Sequence, residues 1–379
     1  MVTKNVMGNF ADMTYKIADS CQYPYSYLSK EWNDIPAWQK AARGKIHELL
    51  AYNPPACALN GRTLKSFEHD GLSVELVVFD QPYGPPTEGF FLKPLGAAGK
   101  LPGIIALHDH GGFKYYGKEK ITAYPGEPEI MREWKNRIYG GVSWASELAK
   151  RGYAVFAPDL FLWGSRRMLA EEVPGEFTAS LAGLEPGSVE YIKAYNLWCK
   201  EHENLIAKSL FLAGTTWPGI MTYDSMRAVD YLVSRDDVDH ERIGCGGLSG
   251  GGLGTVFLAG MDSRIRCTLN VCFMSTFAQA VRTNIQSHTW MLHLPHLANY
   301  LDMPDVISLN AGPLMVQYGI GDHVWAEGCQ RSSDSKLKDI YQKMGAQDYY
   351  RSGYYPGGHQ FDLAMQKDGF DWFENWLKK

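Results

Sequence analysis

The spacing of apolar positions changes three times along the chain. Residues 8–52 keep the helical period, with Trp38, Ala41, Ala42, Ile46, Leu49 and Leu50 on one face and Pro54-Pro55 ending the run. This predicts an N-terminal helical arm, counted as residues 1–60. Short alternating segments follow at 64–67, 72–79 and 89–92, separated by Asp70-Gly71 and by Pro82-Tyr83-Gly84-Pro85-Pro86. Alternation broken by such turns predicts antiparallel strands. From Pro102 to Leu107 the apolar residues become continuous, as in a strand covered on both faces.

Beyond that point helix-like and strand-like runs alternate. Helices are predicted at 144–150, 223–234, 253–261, 335–344 and 370–377, and strands at 154–157, 242–248, 265–273, 313–318 and 348–355. That order predicts an α/β fold, a mostly parallel central sheet flanked by helices, over residues 61–379. Residues 160–215 are too long for an ordinary loop. Their helical periodicity and aromatic content predict an inserted cap, and 275–310 form a smaller excursion.

Composition narrows the class. At 379 residues and 45% hydrophobic content the chain can bury a large core, which excludes wholesale disorder. The 37 Lys and Arg against 42 Asp and Glu give a net charge of −5 with no basic block, so no nucleic-acid partner is expected. No apolar run approaches the ~18 residues of a membrane helix, so no membrane is expected either. The opening residues resemble neither a signal nor a transit peptide. Seven scattered cysteines without CxxC spacing argue against a disulfide framework or zinc ribbon, and a cytoplasmic location is the expectation.

Candidate chemistry begins at Gly247-Leu248-Ser249-Gly250-Gly251. A small-residue strand leads into this G-x-S-x-G and an apolar helix follows, which is the strand–turn–helix setting of a nucleophile elbow. A Rossmann reading fails because Ser249 stands where the third glycine belongs, and no Walker motif occurs. A serine hydroxyl needs a base to take its proton and an acid to orient that base. In the chain order that goes with such an elbow, both come later. Asp322 leaves the strand at 313–318, and His359 lies just past the last strand, so both belong to the sheet edge where the elbow opens. Asp305 and Asp362 are rival acids, and His323 is the neighbouring histidine.

An oxyanion formed at this serine needs two N–H donors. Gly250 supplies one, and the loop His108-Asp109-His110-Gly111-Gly112-Phe113 offers His110 or Gly111 for the other. His108-x-His110 and His293-x-x-His296 are possible ligand pairs, but neither has the helical His-Glu-x-x-His spacing, so no metal and no cofactor are expected.

With these residues placed, the chain resembles the α/β-hydrolase superfamily, and within it the dienelactone-hydrolase-like and acetyl-xylan-esterase-like bacterial esterases. The resemblance runs from about residue 35 to the C-terminus. It is carried by residues 107–112, 148–155 and 242–252, with Met303-Pro304-Asp305-Val306 similar as well. It implies an α/β-hydrolase fold, a triad of Ser249, Asp322 and His359, oxyanion donors at Gly250 and near His110, and hydrolysis of small-molecule esters with short acyl groups. Phe113, Tyr115, Tyr116, Phe161, Trp163 and Trp217 are pocket candidates, and Arg166 and Arg167 are candidates for an anionic substrate. The same triad would serve an amidase or a carbon–carbon hydrolase. A non-catalytic ligand-binding protein on this fold is the reading from another class. The arm leaves a homo-oligomer open.

Overall fold

The computed structural model describes residues 5–283 and 285–378. The chain is a mixed α/β protein whose central sheet is mostly parallel and flanked by helices. It divides into two compact units: Tyr52–Ile243, and the residues up to Ala51 together with those from Gly244 onward.

The N-terminal segment holds α1 (Ala11–Asp19) and α2 (Ile35–Leu50). The single helical run expected over 8–52 is therefore broken between them. Pro24 disfavours helix there, and Asp34 starts α2 afresh by accepting from the Ala37 N–H (3.0 Å), with proline in the first turn. The groups this break frees find tertiary partners. Trp38 Nε1 donates to the Tyr25 carbonyl (2.6 Å), and Lys343 Nζ donates to that of Tyr27 (2.5 Å). Trp38, Ala42, Ile46 and Leu50 form the buried face of α2.

In the unit Tyr52–Ile243, β1 (Arg62–His69), β2 (Leu72–Phe79) and β3 (Thr87–Pro94) make the expected antiparallel meander. Then come β4 (Leu101–Leu107), α3 (Glu129–Ile138), α4 (Trp144–Lys150) and β5 (Ala154–Pro158). Strand β5 pairs antiparallel with β3 and parallel with β4, giving the order β1-β2-β3-β5-β4. Every residue of β5 is buried, which its unbroken apolar run requires. Four short 3₁₀ turns lead to α5 (Val189–Leu212) and α6 (Trp217–Val233), capped by Ser188 and Thr216. Leu181, Tyr195, Trp198 and Cys199 form a small core within 160–215. Helix α3 escapes the periodicity argument because it is densely charged and buries little beyond Met131, Trp134 and Lys135.

Strand β6 (Val238–Leu248) begins in that unit and ends in the other. After it follow α7 (Gly250–Met261), β7 (Ile265–Val271), α8 (Phe277–Ala280), α9 (Met303–Ser308), β8 (Leu314–Gly319), α10 (Glu327–Lys343), β9 (Tyr350–Tyr355) and α11 (Leu363–Leu377). Strands β7, β8 and β9 are parallel neighbours, and β8 is buried throughout. Gln317 donates from its buried amide nitrogen to the Met365 carbonyl (2.8 Å) and to the Tyr355 hydroxyl (3.2 Å).

Asp305 ties the N-terminal segment to this unit. Fully buried, it accepts from the Ser26 hydroxyl (2.5 Å), the Asp302 N–H (2.8 Å) and Lys336 Nζ (2.8 Å), closing a capping box with Asp302 at the start of α9. Replacing Asp305 by Ala strips Lys336 of a buried partner and orphans two donors. Urea unfolding of Asp305→Ala is expected to show a loss of about 3–5 kcal/mol, and a loss below ~1 kcal/mol would contradict this assignment.

Candidate active site

Ser249 occupies a backbone conformation that few residues tolerate. The last six residues of β6 are buried, α7 leaves with its glycines and apolar residues buried, and between them Ser249 has φ +58° and ψ −117°. Such strain persists only where the surroundings fix it. Here the Ser249 N–H donates to the Val271 carbonyl (3.0 Å), and its own carbonyl accepts from Leu253 (2.8 Å). A side chain at Gly252 would press on Phe273 Cβ at 2.7 Å and the Val271 carbonyl at 3.0 Å, so glycine is required for this close approach. Ser249 remains partly exposed between the buried Leu248 and Gly250. As the first residue of α7, Gly250 has an N–H that the helix ladder does not use.

The acid and base come from two loops packed backbone to backbone. A Cβ on Gly319 would collide with the Gly358 carbonyl. Beside it, the Ile320 N–H donates to Tyr355 (2.9 Å) and the Gly321 N–H to Gly357 (2.7 Å). Asp322 is thereby carried to His359, with Oδ2 2.9 Å from Nδ1. Its other oxygen accepts from the N–H groups of Val324 (2.7 Å) and Trp325 (3.4 Å). The carboxylate therefore holds the proton on Nδ1 and leaves Nε2 as the basic nitrogen. Among the described residues that Nε2 is buried without a hydrogen-bond partner, and no hydrogen bond joins it to Ser249.

The rival acids are occupied elsewhere. Asp305 is the cap described above, and Asp362 caps α11 by accepting from Met365 (3.0 Å). His323 packs its ring 5.7 Å from that of His359.

Three neighbours of the pair escape a reading of sequence alone. Cys272, read there as a core residue, follows β7 at φ +50°, and its Sγ lies with the Asp322 and His359 ligand atoms within 4.8 Å. Its N–H donates to the Gln317 carbonyl (2.8 Å), and burial pushes its thiol pKa up. A cation held by this trio would need that thiolate and the contact already joining Asp322 to His359. Trp325 and His288 stack with centroids 4.0 Å apart, and Phe273 meets Trp325 edge-on at 5.3 Å. A residue three past the acid and one in an irregular excursion give no periodic signal.

The loop after β4 lies in the unit Tyr52–Ile243 and rests on buried charge. His108 is fully buried, accepting at Nε2 from the Leu160 N–H (3.1 Å) with Nδ1 3.0 Å from the Asp109 carbonyl; burial pushes its pKa down to about 3. His110 accepts the Gly112 N–H at Nδ1 (2.9 Å) and meets Glu203 at Nε2 (2.8 Å), so both nitrogens of the His108-x-His110 pair are in use. Burial pushes His110 down to about 4. Burial would raise Glu203, but His110 and Lys114 outweigh it and bring it to about 2. Asp109 accepts from the Tyr139 hydroxyl (2.5 Å) and faces Lys120 at 3.4 Å; burial lowers Lys120 to about 8. A side chain at Gly111, φ +55°, would strike Trp134 and Asp109.

The aromatic candidates split. Phe113 packs on Tyr116 (5.6 Å) and Trp134 (5.1 Å), and with Gly111, Trp134, Arg137 and Asn196 it lines a cleft of about 340 Å³. Trp163 and Trp217 are buried, and Lys114 Nζ sits 3.8 Å above the Trp163 ring. Phe161 stands edge-on to Trp217 at 6.0 Å. Arg166 pairs with buried Asp224 (2.7 Å), and Arg167 stacks on Tyr115.

No family model matches the chain. A sequence relative named Putative hydrolase YtaP, of Bacillus subtilis (strain 168), is 27% identical over 338 residues, covering 88% of this chain and 98% of the relative. Among solved structures, a putative acetyl xylan esterase of Bacteroides fragilis superposes with a TM-score of 0.69 at 17% identity, over 93% of this chain and 84% of that one. The glucuronoyl esterase of Solibacter usitatus gives 0.62 at 15%, over 90% and 93%. The acetyl xylan esterase of Paenibacillus sp. R4 gives 0.51 at 18%, over 99% and 97%. The chain has the α/β-hydrolase fold that the sequence led us to expect.

The buried histidines set a direction for pH. His108, His110 and His288 are all depressed below the ordinary ~6.5, chiefly by burial, so between that value and about 4 the unfolded chain binds more protons than the folded one. Their stabilising contribution is complete above ~6.5 and is lost as pH falls. Calorimetric Tm is expected to drop from pH 7 to pH 4, and to drop less steeply in His108→Gln. An unchanged slope in that variant would contradict the role given to His108.

Proposed function

We propose that this chain is a serine hydrolase of carboxylic esters. The observation that carries the reading is the 2.9 Å pairing of Asp322 with His359 Nδ1, which leaves a basic Nε2 unpartnered. The strained Ser249, whose N–H is bonded to the residue before Cys272, lies at the end of the neighbouring strand. Family likeness in fold to esterases supports the choice of ester, and the acetyl xylan esterases among them favour a short acyl group.

In this reading Nε2 takes the Ser249 proton as Oγ attacks the acyl carbon. The carbonyl oxygen becomes an oxyanion facing the Gly250 N–H. The intermediate collapses, the alcohol leaves with the proton from Nε2, and an acyl-serine remains. Water then attacks the acyl carbon, giving its proton to Nε2, and Ser249 recovers the proton as the acid departs. Asp322 keeps its charge throughout and stabilises the imidazolium.

The test is hydrolysis of p-nitrophenyl esters from acetyl to long acyl chains, with wild type beside Ser249→Ala and Asp322→Asn. Wild type is expected to turn over the short esters and to react with a fluorophosphonate. Ser249→Ala should lose about 10³-fold or more in kcat and all labelling. Equal activity in wild type and Ser249→Ala would sink the mechanism. Labelling without ester turnover would move the reaction to amides or carbon–carbon bonds.

A further inference from the structure

The wall beside His359 carries two more ring nitrogens that nothing in the triad explains. His288 Nε2 and Trp325 Nε1 are both buried without a hydrogen-bond partner among the described residues, as is His359 Nε2. They are neighbours: the His288 and Trp325 rings stack at 4.0 Å, and His288 lies within electrostatic reach of both His359 and Asp322. The Trp325 backbone is itself bonded to Asp322. A buried polar group left without a hydrogen bond is costly, so each one in a native fold calls for a partner. Two of them side by side, next to the catalytic base, describe a place for a polar atom.

We propose that His288 and Trp325 form a hydrogen-bonding subsite for an oxygen of the substrate lying next to the ester that is cleaved, with His288 as the specificity-determining residue. The proposal rests on the esterase reading above. Indole N–H only donates, whereas a neutral imidazole nitrogen donates or accepts according to its tautomer. Burial and the neighbouring His293 and His359 keep His288 neutral down to about pH 4, so the pair presents no net charge. The group that fits is therefore uncharged: an ether, carbonyl or hydroxyl oxygen, in preference to a methylene of the same size. His288 as a residue is partly exposed, in the turn just past Ile285–Ser287, while its Nε2 is buried.

Isosteric ester pairs test this. On the alcohol side, 2-methoxyethyl acetate is compared with butyl acetate, and on the acyl side ethyl methoxyacetate with ethyl butanoate. Each pair exchanges one CH₂ for oxygen. The wild-type kcat/KM ratio within a pair is divided by the ratio for a variant, which cancels intrinsic reactivity. His288→Phe keeps the stacking on Trp325 without the hydrogen bond, and His288→Gln keeps a hydrogen bond without the stacking. The expected result is a roughly tenfold fall in preference for the oxygenated member of one pair in His288→Phe, with most of it retained in His288→Gln. Equal loss on both members of each pair, equal ratios in all three proteins, or loss in the Gln variant with retention in the Phe variant would overturn the subsite. Fluorophosphonate labelling of Ser249 is measured alongside. Labelling with no discrimination rejects this subsite alone, while no labelling and no ester turnover in wild type reject the esterase reading with it.

Discussion

Two glycine-containing loops touching backbone to backbone hold the site in register. Gly319 leaves no room for a side chain against the Gly358 carbonyl, and the Gly321 and Ile320 amides bond across to Gly357 and Tyr355. Once those loops are joined, the carboxylate and the imidazole they carry have little freedom left. Asp322 is further fixed by two backbone N–H groups on its other oxygen. Ser249 is held at the end of the neighbouring strand β7, through its bond to Val271. The candidate site thus sits on hydrogen bonds between main chains.

The unit Tyr52–Ile243 solves a different problem. Its loop after β4 is supported from beneath by ionic groups: Lys114 on Glu203, Lys118 on Asp159 and Lys120 on Asp109. Buried pairs of this kind rarely add net stability over an apolar core, but breaking one leaves a charge stranded. Three lysines with short, separate partnerships therefore constrain where the loop can go. Glu203 belongs to α5, so the position of that helix and the shape of the loop are set together.

Much of this was legible along the chain. The continuous apolar runs at β4, β5 and β8 announced buried strands, and the G-x-S-x-G between a small-residue strand and an apolar helix announced the turn at Ser249. Asp322 and His359 followed from their places after strands, and the structure pairs them. The break between α1 and α2 was hidden because apolar spacing continues through it, and only tertiary partners such as Asp305 and Lys343 make it favourable. Helix α9 was missed for its brevity, since six residues cannot show a period. His288, Trp325 and Cys272 reach the site through loop geometry, which leaves no trace in spacing.

Cys272 gives the site a second sulfur-or-oxygen choice that burial has already made. A thiol within reach of a histidine and a carboxylate is the arrangement from which a reactive thiolate is made, and here its sulfur lies within 4.8 Å of the Asp322 and His359 ligand atoms. Shielded from solvent, the thiol keeps its proton and behaves as packing. Depth separates the two side chains: Ser249 is partly exposed and Cys272 is buried. A reagent that selects thiols thus meets a buried sulfur at this centre.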